Sequence, residues 1–526
     1  MPPTSDSLAV LQSTLAADLR RFAPELVIVG TIVALLLARM VRRLDRAHLG
    51  SVALGGSAAA LLALLAPHFG WWDGSYSSTA FSGLLALDPF AEFLRGLLLA
   101  FAVLAVVLTR ITGIPDAEDS ADFYTLLLGG TLGMMVMVSA NHLLMIFLGL
   151  EMASLPSYAL SGFLKGRRRG SEAALKYVVY GAASSGVALY GISLLTAQFG
   201  TGSLPVVAAE YAKVLRGGGF TPVLAAGTLL FLVGLGFKLG AVPFHWWLPD
   251  VFEGAAAEVG AFLSVASKAA AVGLTARFLL TLQGAAADFD PTVLPRTLGM
   301  GVLIAAAVTA TLGNLAALAQ TNLKRLLGYS TIAHAGYMMM ALAPLTRSGA
   351  AAVLFYLAAY LLMNLGAFAV VAVVRNRTGE ETIDACRGLI GRSPALTVGL
   401  ALFLLSLLGI PPLAGFAGKF QVFVAVYEAG RDYSRMGQPD LGIAFYVLLG
   451  VGVVNTVMSA GYYLRVLRSA TLDDAAEQDE KGEPPPLGES WQAAVYVALL
   501  AVALVVVGVW WMKPLTDLAT RAVGRM

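Results

Sequence analysis

Cysteine is almost missing: Cys386 is the only one in 526 residues. That excludes an internal disulfide, and it excludes an iron–sulfur cluster held by this chain's own thiolates. Charge is scarce as well. Asp, Glu, Lys and Arg make up 13% of the chain while 58% is apolar, and the mean hydropathy is +0.76; soluble domains carry about 25% charge, so this is the composition of a polytopic membrane protein. The net charge of +2 gives no argument for nucleic-acid binding. His48, His68, His142, His245 and His334 are scattered without metal-ligand spacing. No soluble domain is expected, because the longest polar stretch is only the acidic, proline-rich linker from Thr471 to Ser490. Residues 1–24 are weakly amphipathic, end near Arg20 and Arg21, and show no good signal-peptide cleavage site.

What is present is a succession of apolar runs of about 20 residues. They predict an all-α polytopic membrane protein with about fourteen transmembrane spans. An even count puts both termini on one side. The strongest basic clusters, Arg39 to Arg46 and Lys165 to Arg169, fall in loops of the opposite side. By the positive-inside rule those loops are cytoplasmic and both termini are outside.

Six basic residues lie within the spans rather than in loops. Arg95 and Arg277 are near span ends, where snorkelling to the interface is the simple reading. Lys176 is near the start of the sixth span. Lys238, Lys268 and Lys419 lie deeper, and Glu151 is the carboxylate well inside a span. A charge at mid-bilayer depth costs roughly 2.5–3.5 kcal/mol even on lenient scales, so these residues call for a functional reason. Two of the lysines also sit beside helix breakers. Pro243 cannot donate to the carbonyl of Leu239, directly after Lys238; Pro411 and Pro412 free the carbonyls of Leu407 and Leu408 near Lys419. Gly409, Gly415 and Gly418 allow a non-helical stretch there. A single such break is often a plain proline kink. Two breaks, each with its lysine, are the mark of an ion-translocating protein, since interrupted helices at this depth must be covered by protein or line a wet cavity.

Burial penalises the charged form of an amine, and a nearby carboxylate restores it. A countercharge that comes and goes therefore switches a buried lysine between its two protonation states, which is a proton-relay element. Glu151 and Lys176, on helices joined by a short loop, are expected to form one such switch. His334, mid-span beside Tyr329, Ser330 and Thr331, is placed to link the lysine sites. His245, beside Trp246 and Trp247, reads as structural or interfacial. The run Gly234 to Gly240 resembles a phosphate-binding glycine loop only superficially, because it lies inside a span with no preceding strand.

The run GFKLGAVPFHWWLPDVFEGAAAEVGAFLSVASKAAAVG (Gly236 to Gly273) resembles the signature of the antiporter-like subunits of respiratory complex I. GIPPLAGFAGKFQVF (Gly409 to Phe423), VVNTVMSAGYYLRVL (Val453 to Leu467), NLKRLLGYSTIAHAGYM (Asn322 to Met338) and LMIFLGLEMASLPSYAL (Leu144 to Leu160) resemble the N-type subunit of NADH:quinone oxidoreductase. The resemblance spans roughly residues 90–470. Lysine at 419, where the M-type sister has glutamate, the lack of a long lateral helix and the fourteen spans all favour the N type. One departure is visible: the family usually has proline soon after EGA, whereas Ala256 and Ala257 follow here.

The resemblance implies two inverted five-helix repeats, spans 4–8 and 9–13, each with one discontinuous helix. The expected division is residues 1–120 for three N-terminal helices, 121–285 and 286–470 for the repeats, and 471–526 for the linker and last span. It also implies a proton relay through Glu151, Lys176, Lys238, Lys268, His334 and Lys419, with helix breaks at Pro243, Gly409, Pro411 and Pro412. No cofactor or metal is expected in this chain; NADH, FMN, iron–sulfur clusters and quinone belong to other subunits. Expected partners are an M-type antiporter-like subunit, small K/J-type subunits and membrane lipid, with no nucleic acid, in a bacterial inner (plasma) membrane. Two other classes stay open: a subunit of an Mrp-type cation/proton antiporter or of a related hydrogenase or photosynthetic complex, and an inert structural spacer. Neighbouring genes would separate the first from complex I, and the retained charged residues argue against the second.

Overall fold

The computed structural model describes residues 14–41, 47–71, 79–164, 166, 168–217, 221–474 and 487–524. Part of the charge argument for orientation rests on Arg42, Arg43, Arg46, Lys165 and Arg167, which lie outside the described residues, as does most of the acidic linker.

Leaving aside single-turn pieces and numbering from Ala23, three helices come first: α1 (Ala23–Met40), α2 (Gly50–Leu65) and α3 (Pro89–Thr112). A set of five spans follows. It consists of α4 (Ser120–Ser139), α5 (Leu143–Ser161), α6 (Arg168–Phe199), a span split into α8 (Pro222–Leu239) and α9 (Trp247–Gly254), and α10 (Ala257–Ala287); the short α7 (Leu204–Arg216) lies between α6 and α8. The same order recurs as α11 (Met300–Leu318), α12 (Leu323–Leu342), α13 (Arg347–Thr378), a span split into α14 (Pro394–Leu408) and α15 (Ala414–Arg435), and α16 (Pro439–Thr471). The chain closes with α17 (Trp491–Val509) and the short α18 (Met512–Gly524).

Among the described residues twelve helices are long and apolar enough to cross a membrane. The two other expected spans are also helical. One is α12, made less apolar by Lys324, Arg325 and His334; the other is divided between α14 and α15. Because each five-span set has an odd number of crossings, the second set runs through the membrane upside down relative to the first.

Local chemistry fixes where these helices start and stop. Asp88 Oδ1 accepts from the Ala91 amide (2.8 Å), and Asn322 caps α12 by accepting from the Arg325 amide (3.0 Å). Both split spans stop at a glycine in the left-handed region, Gly240 (φ 64°) after α8 and Gly409 (φ 96°) after α14, a conformation other residues rarely adopt. The two repeats also share a close helix pair. A Cβ on Gly149 of α5 would meet the Met137 Cα of α4 at 2.7 Å, and one on Gly336 of α12 would meet the Ala310 amide of α11 at 2.5 Å. Such small-residue contacts are how membrane helices approach without a hydrophobic driving force.

α10 is buried along its whole membrane window and α13 along 89% of it, so these two form the axis of the bundle. About a third or less of α1, α2, α16 and α17 is buried, and Leu37, Val454 and Val457 are among the apolar side chains they leave exposed. The last span meets the second split span end on: any Cβ at Gly508 would collide with the Pro412 carbonyl and the Ala414 amide.

Arg95 and Arg277 do not snorkel, contrary to expectation. Arg95 is buried and paired with Glu25 of α1 (2.7 and 2.5 Å). Arg277 holds both oxygens of Asp88 at 2.8 Å, with its guanidinium 5.2 Å from the Phe90 ring centre. A third buried pair, Arg375 with Glu258 (3.1 and 3.0 Å), ties α13 to the start of α10. Each arginine points into a seam between helices where a carboxylate satisfies its fork, so it has no need to reach the interface. Ala256 has φ −61° and ψ 150°, a backbone that proline would also adopt, and Lys324 fixes the turn by donating to the Ala255 carbonyl (2.6 Å).

Candidate functional site

At the first break side chains bond the carbonyls that end α8, that of Phe237 in addition to the Gly240 amide and that of Leu239 in place of a helical partner. Trp247 Nε1 donates to the Phe237 carbonyl (3.2 Å), and Lys268 Nζ, from α10, donates to the Leu239 carbonyl. This is the carbonyl that Pro243 is expected to release. On the far side of the loop the Val242 amide donates to Thr309 of α11 (3.0 Å), so the break is held from both repeats. Lys238, 5% exposed, ends α8 with its Nζ free of any hydrogen-bond partner. Glu151 is the one acidic group that acts on it electrostatically, and Glu151 Oε1 is likewise buried and unpartnered.

The second break repeats the arrangement with a different lysine. Lys419 Nζ, one turn into α15, donates to the Leu408 carbonyl at 3.0 Å, again a carbonyl released by proline. Its ammonium lies 4.6 Å from the Tyr337 ring centre, a cation–π contact. Ser406 accepts from the Gly415 amide (3.0 Å) and closes the loop.

Two hydrogen-bonded clusters of polar side chains lie between the two breaks. Ser264 lies one turn from Lys268 on α10 and bonds Thr331 of α12 and Tyr360 of α13, both at 2.9 Å. Asn364 donates to Tyr360 (2.9 Å) and to Ser264. One turn along α12, His334 has Nδ1 2.5 Å from the Tyr356 hydroxyl and Nε2 3.1 Å from the Tyr463 hydroxyl. Tyr463 in turn bonds Ser330 (2.5 Å). The Tyr356 ring packs on Gly418, next to Lys419, and Lys419 acts on His334 electrostatically. All of these groups are buried, and most are hydroxyls that can both give and accept a proton.

Lys176 is placed otherwise than expected. Its Nζ bonds Asp250 of α9 (2.6 Å) and Glu172 one turn back (2.8 Å), and no bond joins it to Glu151. α6 turns Lys176 toward α9 at the rim of the bundle, whereas Glu151 acts electrostatically on Lys238. Arg325 bonds Asp250 (2.6 Å) and Glu253 (2.9 Å), which makes this rim a charged network between α6, α9 and α12. His245 is buried with Nδ1 unpartnered beside the exposed Trp246.

Several polar residues of this region escape a reading of the sequence. Lys324 looks like part of a loop-side basic pair with Arg325 yet is 1% exposed, bonding Glu381 (2.8 Å) as well as Ala255. Asn314 and Asn455 bond each other at 3.0 Å, and Tyr462 donates to Asn314 (2.9 Å). Lone amides in apolar spans were the available signal for these and for Asn364. Among the described residues no three of His, Cys, Asp and Glu come together to hold a metal ion.

Comparison with known proteins places this arrangement. The family described as NADH:quinone oxidoreductase/Mrp antiporter, transmembrane, matches residues 140–435. The NADH-quinone oxidoreductase subunit N of Anaeromyxobacter sp. (strain Fw109-5) is 41% identical over 508 residues, covering 93% of this chain and 94% of its own. The NAD(P)H-quinone oxidoreductase subunit 2 of Synechococcus sp. (strain JA-3-3Ab) is 38% identical, covering 95% and 90%. A chain of respiratory complex I from Thermus thermophilus with bound aureothin superimposes with TM-score 0.73 at 32% identity, covering 94% of this chain and 99% of that one. A chain of the Mrp complex from Dietzia sp. DQ12-45-1b shares the fold alone, with TM-score 0.78 at 19% identity, covering 96% and 97%. By sequence over nearly its full length and by fold, this chain belongs to the NADH:quinone oxidoreductase/Mrp antiporter family of membrane subunits, in its subunit N branch.

Proposed function

We infer that the chain is a proton-translocating membrane subunit of NADH:quinone oxidoreductase, and that its own part in the enzyme is non-redox: it moves protons while quinone is reduced elsewhere. The observation that carries this reading is the pair of lysines, Lys268 and Lys419, each bonded to a carbonyl released at a helix break, with the Ser264–Thr331–Tyr360 and His334–Tyr356 hydrogen bonds lying between them.

Protons pass from Lys238 to Lys268, along the hydroxyls of Ser264, Thr331 and Tyr360, across His334 and its tyrosines, and so to Lys419. Lys268 and Lys419 are each bonded to a carbonyl that favours the ammonium, Lys238 has no such partner, and no carboxylate is bonded to any of the three, so a charge arriving next door can expel a proton. Glu151 acts on Lys238 as the countercharge that a neighbouring subunit would modulate. The tetrad of Lys176, Asp250, Arg325 and Glu253 holds α9 in place rather than relaying protons.

NADH, FMN, iron–sulfur clusters and quinone belong to partner subunits in this reading. The neighbours are an M-type antiporter-like subunit and small K/J-type subunits within a bacterial inner membrane, with both termini on the periplasmic side. The two repeats, residues 121–285 and 286–470, serve as the inward and outward halves of one path.

The test uses inside-out membrane vesicles holding the assembled complex. Lys238→Ala and Lys419→Ala are each expected to lower NADH-driven proton uptake by about a hundredfold or more, with the complex still assembled on native gels. A normal ratio of protons taken up to NADH oxidised in either variant contradicts the relay.

A further inference from the structure

Four buried polar atoms without hydrogen-bond partners share one region of the bundle: Glu151 Oε1 and the Tyr158 hydroxyl on α5, the Tyr177 hydroxyl on α6, and Lys238 Nζ on α8. They are linked to one another. Glu151 acts electrostatically on both Lys238 and Tyr158, and the rings of Tyr158 and Tyr177 meet edge to face at 4.6 Å. Tyr177 is fully buried and lies flat on Trp247 at 4.2 Å. Ser154 and Ser157 are close to the two hydroxyls and give their own protons to the Leu150 and Ala153 carbonyls, so toward the phenols they act as acceptors and supply no proton. Gly181 leaves room for the Tyr158 hydroxyl, since any Cβ there would collide with it.

Packing alone does not account for these hydroxyls. Phenylalanine at either position would keep the ring contacts and would not bury an unpaired polar group. The other end of the cluster leads outward. Arg169, Ala173 and Tyr177 follow at four-residue spacing on one face of α6, and the first two line an open cavity of about 220 Å³ together with Lys176, Asp250, Glu253 and Arg325.

We propose that Tyr177 and Tyr158 carry protons inward from the charged cavity between α6, α9 and α12 to Glu151 and Lys238. A proton admitted from the cavity past Ala173, one turn before Tyr177 on α6, reaches the phenol oxygen of Tyr177 as that phenol passes its own proton to Tyr158. Tyr158 does the same toward Glu151 and Lys238. Each oxygen ends with one proton, rotation of the O–H bonds resets the pair, and one positive charge arrives at the Lys238 amine; nothing is oxidised or reduced. The inference rests on the reading of Lys238 as a relay lysine.

The experiment compares Tyr177→Phe, Tyr158→Phe and Lys238→Ala in the assembled complex, following proton uptake and NADH oxidation in inside-out vesicles. Each phenylalanine variant is expected to assemble normally and to lose about tenfold or more of its proton uptake. Full uptake in both, alongside a blocked Lys238→Ala, makes the tyrosines packing residues and overturns the proposal while leaving the lysine relay intact. Normal uptake in Lys238→Ala overturns the relay and this proposal with it. Should Tyr177→Phe fail to assemble, Tyr158→Phe, on a different helix, decides by the same criterion.

Discussion

Lys268→Arg is expected to give a complex that assembles and no longer pumps. Arginine keeps a positive donor within reach of the Leu239 carbonyl that Lys268 satisfies at the first break, so the break stays closed. A guanidinium does not release its proton in a protein, so the path stops there. Proton uptake driven by NADH should fall by about 10²-fold or more, the range that a positioned acid–base group contributes. Lys268→Met should differ in kind. It loses both the proton carrier and the donor, leaving a buried carbonyl unpaired at a cost of about 1–3 kcal/mol, so both uptake and the yield of assembled complex decline. Proton uptake normalised to assembled complex separates the two effects. A pumping arginine variant would mean that Lys268 is only a structural strut for the broken helix.

The largest effect on stability is expected at Asp88, away from the relay. This residue caps α3 and holds both arms of the Arg277 guanidinium in a seam where neither side chain is more than a few per cent exposed. Asp88→Ala leaves a buried arginine without its counter-ion, a loss of roughly 3–5 kcal/mol, and removes a helix cap worth about 1 kcal/mol. The purified complex should shed this subunit at lower temperature, followed by native electrophoresis after graded heating. Asp88→Ala combined with Arg277→Met should recover much of the loss, because the double variant leaves no unpaired charge. Failure of the pair to recover would place the cost in packing around Phe90 rather than in the ion pair.

The helix breaks were legible because proline and glycine act locally: Pro243, Pro411 and Pro412 state which carbonyls are freed without reference to the rest of the chain. What takes those carbonyls was not legible. Lys268 reaches Leu239 from the next helix, whereas Lys419 reaches Leu408 from within its own split span, and nothing in the spacing distinguishes the two. The buried arginines were misread for the same reason. Their carboxylates, Glu25 and Asp88, lie 70 and 189 residues away, so each arginine resembled an ordinary interfacial cation. Lys176 was assigned to Glu151 because the loop between their helices is short, but its partner Asp250 comes from beyond the first break. Depth within the apolar spans located the lysines and the histidine, and the family resemblance gave them a common role; Tyr356, Tyr360, Tyr463, Ser264 and Asn364 emerged only from the packing of α10, α12, α13 and α16.

Gly508 lets the last span rest directly on the backbone of the second break, and this bears on how the protein is made. Synthesis runs from the amino terminus, so both repeats are complete before that covering helix leaves the ribosome. Until it docks, the Pro412 carbonyl and the Ala414 amide lack the helix that covers them, and uncovered backbone is a situation that lipid does not tolerate. A chain ending near residue 480 would therefore leave the backbone of its second break without this cover.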